Sequence, residues 1–164
     1  MSSLNDQNNT GWLPKAINNG WTYKSQINNQ YNGSTLLDFL AYKFLHSSRE
    51  EWRKRIVNNQ IKINNKITSK NTDIYSGDII SWEREPWEEC SIPNAWEVLF
   101  DDGDLLVINK PSGLPVIPGG GFLKHTLSEL LKEQSKIRNE VSYPRPIHRL
   151  GRFTSGVLLC AREQ

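Results

Sequence analysis

The chain has 164 residues, with 20 Lys and Arg against 18 Asp and Glu, and a formal net charge of +2. At 37% hydrophobic and 23% charged it has a globular composition with room for one domain or two small ones, and no apolar run reaches the ~18 residues that span a bilayer. The first residues lack the basic-then-apolar profile of a secretory signal, and Cys90 and Cys160 stand far apart, so neither a disulfide scaffold nor a zinc site is indicated and a reducing, cytoplasmic setting is expected.

Residues 1–32 are rich in Asn, with isolated Trp12, Trp21, Tyr23 and Tyr31 and no sustained period, which reads as an irregular N-terminal arm. Ser34 or Thr35 then offers an N-cap to Leu36, Leu37, Leu40, Phe44 and Leu45, whose spacing predicts a helix over 35–45. Ser47 with Glu50 has the form of a capping box, opening a second helix to about Asn58 with Trp52 and Ile56 inward and Arg49 and Arg53 on another face. Ile61, Ile63 and Ile67 alternate around a turn at Asn64-Asn65, predicting a basic hairpin with the isoleucines inward. Gly77-Asp78 marks a turn before a strand over 79–82.

Charge is segregated along the chain. Lys43 to Lys70 carries +6, Glu83 to Asp104 carries −7, and Leu105 to the end carries +5. Two basic blocks around an acidic, Pro-containing connector suggest two surfaces that face a polyanion. Beyond the connector, 96–100 and 105–109 read as a hairpin around Asp101-Asp102-Gly103-Asp104, and 126–134 as a helix carrying Leu127, Leu130 and Leu131. Gly119-Gly120-Gly121 lacks the Gly-Lys-Ser/Thr of a phosphate loop and reads as a turn. An apolar strand over 157–160 follows the segment His148-Arg149-Leu150-Gly151-Arg152-Phe153-Thr154-Ser155-Gly156.

The order helix, helix, basic hairpin, with Ser48-Arg49, Arg55-Ile56, Ile61-Lys62-Ile63-Asn64 and Gly77-Asp78, resembles the alpha-L RNA-binding domain over roughly residues 33–83. That family usually has Gly where this chain has Asn59 and Asn65, and Asn is the residue besides Gly that best tolerates the left-handed turn. The resemblance implies RNA contacts from Ser48, Arg49, Arg53, Lys54, Arg55, Lys62, Asn64 and Lys66, whose cations can neutralise phosphates.

Lys110-Pro111-Ser112-Gly113-Leu114 followed by His148–Gly156 resembles the opening part of an RluA-type RNA pseudouridine synthase. The implied class is α+β: a small alpha-L RNA-binding domain, an acidic linker over 84–95, and over 96–164 the N-terminal part of a mixed β-sheet catalytic domain. The resemblance implies isomerisation of uridine to pseudouridine in ribosomal or transfer RNA, on a flipped base and without metal or organic cofactor. The chemistry needs a carboxylate at the sugar–base junction. The family places an Asp directly after His-Arg-Leu, and this chain has Gly151 there. Arg149 matches the arginine that fills the space left by the flipped base. His148, Leu150, Arg152, Thr154, Ser155 and Gly156 complete the active-site loop, with Arg152 orienting the loop or contacting phosphate and His148 a packed, hydrogen-bonded residue. Asp101, Asp102 and Asp104 read as an exposed turn rather than a substitute carboxylate.

In the family the 157–160 strand lies in the central sheet with most of the catalytic domain after it. The expectation is therefore a C-terminally truncated chain, with 97–164 poorly packed alone or completed by a second chain. The alternative function is a non-catalytic RNA-binding module using the alpha-L domain.

Overall fold

A computed structural model of the protein describes residues 11–162. Residues 1–10 of the expected arm and 163–164 of the expected catalytic part lie outside the described residues. In chain order the elements are β1 (Trp12–Leu13), β2 (Ala16–Ile17), β3 (Trp21–Gln26), a 3-10 turn (Asn29–Tyr31), α1 (Leu36–Lys43) and α2 (Arg49–Val57). There follow β4 (Ile61–Ile63), β5 (Lys66–Ile67), β6 (Ile79–Arg84), β7 (Glu88–Glu89) and β8 (Ile92–Pro93). The last are β9 (Glu97–Asp101), β10 (Leu105–Lys110), α3 (Leu127–Ile137), β11 (Arg145–Pro146) and β12 (Gly156–Ala161). No described helix is long and apolar enough to cross a membrane. The chain divides into two compact units, one of Asn19–Pro86 and one formed by the segment up to Asn18 together with Trp87 onward.

In the Asn19–Pro86 unit, α1 and α2 cover one face of a sheet ordered β3-β6-β4-β5, all antiparallel. Thr35 Oγ1 accepts from Asp38 N–H and caps α1 as its position predicts. The capping box of α2 is formed by Ser48 and Glu51, one residue on from the expected Ser47–Glu50 pair. Both serines precede a glutamate by three, but Ser47 is buried and its hydroxyl accepts from Arg55 Nη1 at 2.8 Å, which leaves Ser48 as the cap. Trp52 and Ile56 are 1% and 2% exposed and pack with Leu36, Phe39, Leu40, Ile61 and Ile74. Each such side chain contributes about 1.5–3 kcal/mol on burial.

Asn64 and Asn65 both take positive φ, 50° and 66°, as a two-residue hairpin turn demands, and Asn59 does so at 58°. That turn pairs Ile63 with Lys66 and Lys62 with Ile67. Paired residues share a face, so Ile67 lies with Lys62 on the outer side and is 64% exposed, not inward as alternation suggests.

The expected irregular arm is a further correction. β3 pairs along its whole length with β6, from Trp21 opposite Arg84 to Gln26 opposite Ile79. Gly20 permits this approach: its φ is +72°, and a Cβ there would lie 2.4 Å from the carbonyl oxygen of Arg84.

The second unit contains the other departure. The segment expected as an extended acidic linker is folded: β7 pairs with β2, β8 pairs with β1, and Ile92 is fully buried. Glu89 is the reason an acid can lie inside. Its carboxylate, on a residue 1% exposed, accepts from Asn18 Nδ2 at 2.7 Å and from the backbone N–H groups of Leu123, Lys124 and His125. Burial pulls this carboxyl upward, but the donors together outweigh it and the net pKa lies below the ordinary glutamate value.

The main sheet of this unit is ordered β11-β12-β10-β9, with every pairing antiparallel. Leu106, Ile108, Leu158 and Cys160 lie on the face that packs with Leu127 and Leu131 of α3. On the strands' other side Phe100 and Val157 remain about half exposed. β12 leads directly out of the loop that bears the sequence motif.

Candidate active-site loop and RNA-facing surface

The loop runs from β11 to β12 and is fastened at both ends. At its start the Ile147 N–H donates to the Leu159 carbonyl, and the Leu159 N–H donates to His148 Nε2 at 3.0 Å. His148 is therefore an acceptor at Nε2 and carries its proton on Nδ1 when neutral. It is hydrogen-bonded as expected, but exposed rather than packed. No cluster that could hold a metal ion occurs among the described residues. Leu150 turns inward and packs against the core of the unit.

The middle of the loop is held by Lys110, at the end of β10. Its side chain is fully buried, and its ammonium donates to three carbonyls: Leu114 at 2.8 Å, Pro111 at 2.9 Å and Arg152 at 3.2 Å. It has no carboxylate partner among the described residues, and burial lowers its pKa. Arg152 completes the lock. Its backbone carbonyl accepts from the Gly113 N–H at 2.8 Å, and its Nε donates to the Gly113 carbonyl at 3.2 Å. The guanidinium lies 4.6 Å from the ring centre of Phe122 and 4.8 Å from that of Phe153. Ser112 Oγ adds a bond to the Phe153 carbonyl. Arg152 thus ties the motif loop to the turn at Gly113.

Between these anchors the residues of chemical interest face solvent. Arg149 and Gly151 are exposed, as are Thr154 and Ser155, and Gly156 begins β12. The Thr154 N–H donates to the Gly151 carbonyl at 3.1 Å, closing a tight turn. Gly151 does not occupy the left-handed region, and a Cβ built on it meets only Thr154, 3.1 Å from the hydroxyl and 4.0 Å from Cβ. The position therefore accepts an L side chain after a small rotation of Thr154.

The aspartates of the β9–β10 turn are committed elsewhere. Asp101 pairs with Arg162 at 2.7 Å, and that bond holds its carboxyl below the usual range. Asp102 accepts from Leu105 N–H and Asp104 N–H, which lowers its pKa in turn. Neither carboxylate is free to serve the loop.

In the other unit the expected RNA-facing residues separate into four groups, the last a single residue. Ser48 is the N-cap of α2, and the Asn64 amide is tied to Asp78 and to the Ile79 N–H, so both shape the backbone. Arg49, Arg53 and Lys62 are exposed or half-buried cations paired with Asp38, Glu50 and Glu83. Surface pairs of this kind contribute only about 0–1 kcal/mol, little enough for a phosphate to displace the acid. Lys54 and Lys66 are exposed without an ion pair among the described residues. Arg55 differs from all of these. Its guanidinium lies 4.5 Å from the Trp52 ring centre and 4.4 Å from that of Trp82, and Nη1 donates to Ser47 Oγ.

Sequence reasoning missed Lys110 and Glu89 as anchors. Lys110 was visible only as part of a motif, and Glu89 as one charge in an acidic run.

One unit carries exposed cations on helix and hairpin, and the other carries a braced, Arg-bearing loop, in a mixed α/β fold. Residues 104–164 match the RNA pseudouridylate synthase family. The chain is 41% identical over 132 residues to an RNA pseudouridine synthase of Synechocystis sp., covering 78% of this chain and 43% of that protein. It is 40% identical over 157 residues to RNA pseudouridine synthase 5 of Arabidopsis thaliana, covering 90% of this chain and 42% of that protein. With the mitochondrial tRNA pseudouridine(32) synthase of Saccharomyces cerevisiae it shares 29% identity over 142 residues, 87% of this chain and 30% of that protein. By these likenesses the chain is similar to RNA pseudouridine synthases, with residues 104–164 carrying the family match, and it spans less than half the length of each of these three relatives.

Proposed function

We propose that this chain serves the isomerisation of uridine to pseudouridine in structured ribosomal or transfer RNA. In that reaction the bond from N1 of uracil to the ribose C1′ breaks, the base turns, C5 bonds to C1′, the C5 proton is released, and N1 takes up a proton. Residues 33–83 act as an alpha-L RNA-binding domain, with Arg49, Arg53, Lys54, Arg55, Lys62 and Lys66 directed to phosphates and Ser48 and Asn64 shaping the surface that carries them. Residues 96–164 form part of the catalytic domain. Arg149 occupies the space vacated by the flipped base, and the loop is presented to the nucleotide by Leu150, Arg152, Thr154 and Gly156. The observation that carries this reading is the bracing of that loop by a fully buried Lys110, which keeps Arg149 and position 151 in one exposed turn.

Gly151 favours a second reading. Glycine offers no carboxylate to attack C1′ or take a proton from the sugar, and loss of such a group costs several orders of magnitude in rate. On that reading the chain is a non-catalytic RNA-binding module. Tritium release from RNA labelled at uridine C5 separates the two: turnover by this chain supports the isomerase, while RNA binding without release supports the module. Two free thiols, Cys90 and Cys160, are in keeping with action in a reducing compartment such as the cytoplasm.

A further inference from the structure

β3 lay outside the expected RNA-facing residues, yet it carries the most exposed ring pair on its sheet face. Trp21 and Tyr23 are 54% and 41% exposed, and as alternate residues of one strand they project to the same side, roughly 7 Å apart. Tyr23 is held in place by stacking on Trp82, with ring centres 5.1 Å apart and planes inclined by 24°. A shallow groove beside Trp21 is lined by Asn19, Gly20, Thr22, Glu83 and Arg84.

Two cations flank these rings on the same face. Lys43 Nζ donates to Ser25 Oγ, the next residue of β3 on that side, and lies 5.2 Å from the Phe39 ring centre. Arg55 lies over Trp82, the ring against which Tyr23 stacks. Both are positioned by aromatic faces and hydroxyls, and neither forms an ion pair among the described residues. Glu51, the acid that acts on Arg55 through space, is committed to the Ser48 cap.

We propose that Trp21 and Tyr23 form a stacking site for unpaired ribonucleotides, with Lys43 and Arg55 taking the adjoining phosphates. The proposal rests on the RNA reading above and adds to it a preference for single-stranded segments. Rings on a strand present flat faces to bases, and only unpaired bases can turn their own faces to meet them. The cations at the border of the aromatic pair favour a polyanion over an apolar protein surface.

The test uses the full chain and two fluorescent RNAs, an oligouridylate of about 12 nucleotides and a fully paired duplex of similar length. Trp21→Ala weakens oligouridylate binding about tenfold and leaves duplex binding within about twofold. Tyr23→Phe, which keeps the ring, retains affinity, and Lys43→Gln lowers the salt slope by about 0.7. Because Trp21 is half exposed, the thermal midpoint of Trp21→Ala stays that of the parent, so loss of binding is not loss of fold. Oligouridylate affinity unchanged in Trp21→Ala, with the parent still binding RNA, overturns this site and leaves the broader reading standing. A concentration-dependent dimer abolished by Trp21→Ala assigns the face to a second copy and overturns it too. Absence of any RNA binding by the parent removes both.

Discussion

The ammonium of Lys110 lies 3.2 Å from the backbone carbonyl oxygen of Arg152, 42 residues further along the chain, and so ties the end of β10 to the middle of the motif loop. Replacing Lys110 with Met keeps most of the volume but leaves three carbonyls without this donor, at a cost of about 1–3 kcal/mol. Amide exchange at Gly113 and Thr154, whose N–H groups bond within the braced region, accelerates at least about tenfold, while the β10–β12 ladder keeps its protection. Equal protection at those two amides in Lys110→Met would show that the ammonium does not hold the loop.

Glu89 makes a pH-dependent anchor. Its folded pKa lies below the ordinary value of 4.5, so its contribution is complete above that value and is lost as pH falls through the folded one. Glu89→Gln turns an amide N–H₂ toward N–H donors and costs about 2–4 kcal/mol near neutrality. The gap between parent and variant, read from urea unfolding, narrows as pH drops below 4.5. A gap that stayed constant with pH would mean the carboxylate charge contributes nothing.

Cys160 gives the opposite sign at the alkaline end. Its thiol is fully buried, and burial pushes its pKa from 9.0 up to about 11. The folded state holds the proton longer than the unfolded chain, so stability falls between those two values, by up to about 2–3 kcal/mol. Cys160→Ala removes that part of the decline, as urea midpoints at neutral and alkaline pH would register. In the native protein Cys90, which is exposed, reacts first with a thiol reagent; equal rates for the two would contradict the burial.

Local signals carried much of this fold. Thr35 as a cap, Asn59 and Asn65 as left-handed residues, and the helical spacing of Leu36, Leu40, Trp52 and Ile56 all state their roles within a few positions. The choice between Ser47 and Ser48 did not, because both satisfy the capping pattern and the bond from Arg55 that engages Ser47 is not part of that pattern. Ile67 failed because a two-residue turn reverses which side of the strand each residue faces. The pairings of Trp12-Leu13 with Ile92-Pro93 and of Ala16-Ile17 with Glu88-Glu89 are two residues long and about seventy or more apart, below any detectable period. Within the candidate site the motif residues were legible as a string. Lys110 and Glu89 were not, since their partners are mostly backbone groups that no residue letter records.

Gly151 is the position on which the account turns. Its backbone tolerates a side chain, and the hydroxyl of Thr154 stands where an introduced carboxylate could accept a hydrogen bond. Tritium release from C5-labelled uridine RNA, measured for the parent and for Gly151→Asp at equal RNA occupancy, is the direct test. The account predicts release by Gly151→Asp well above that of the parent, with unchanged thermal stability. Silence from a folded, RNA-bound Gly151→Asp would contradict the assignment of this loop as an active site.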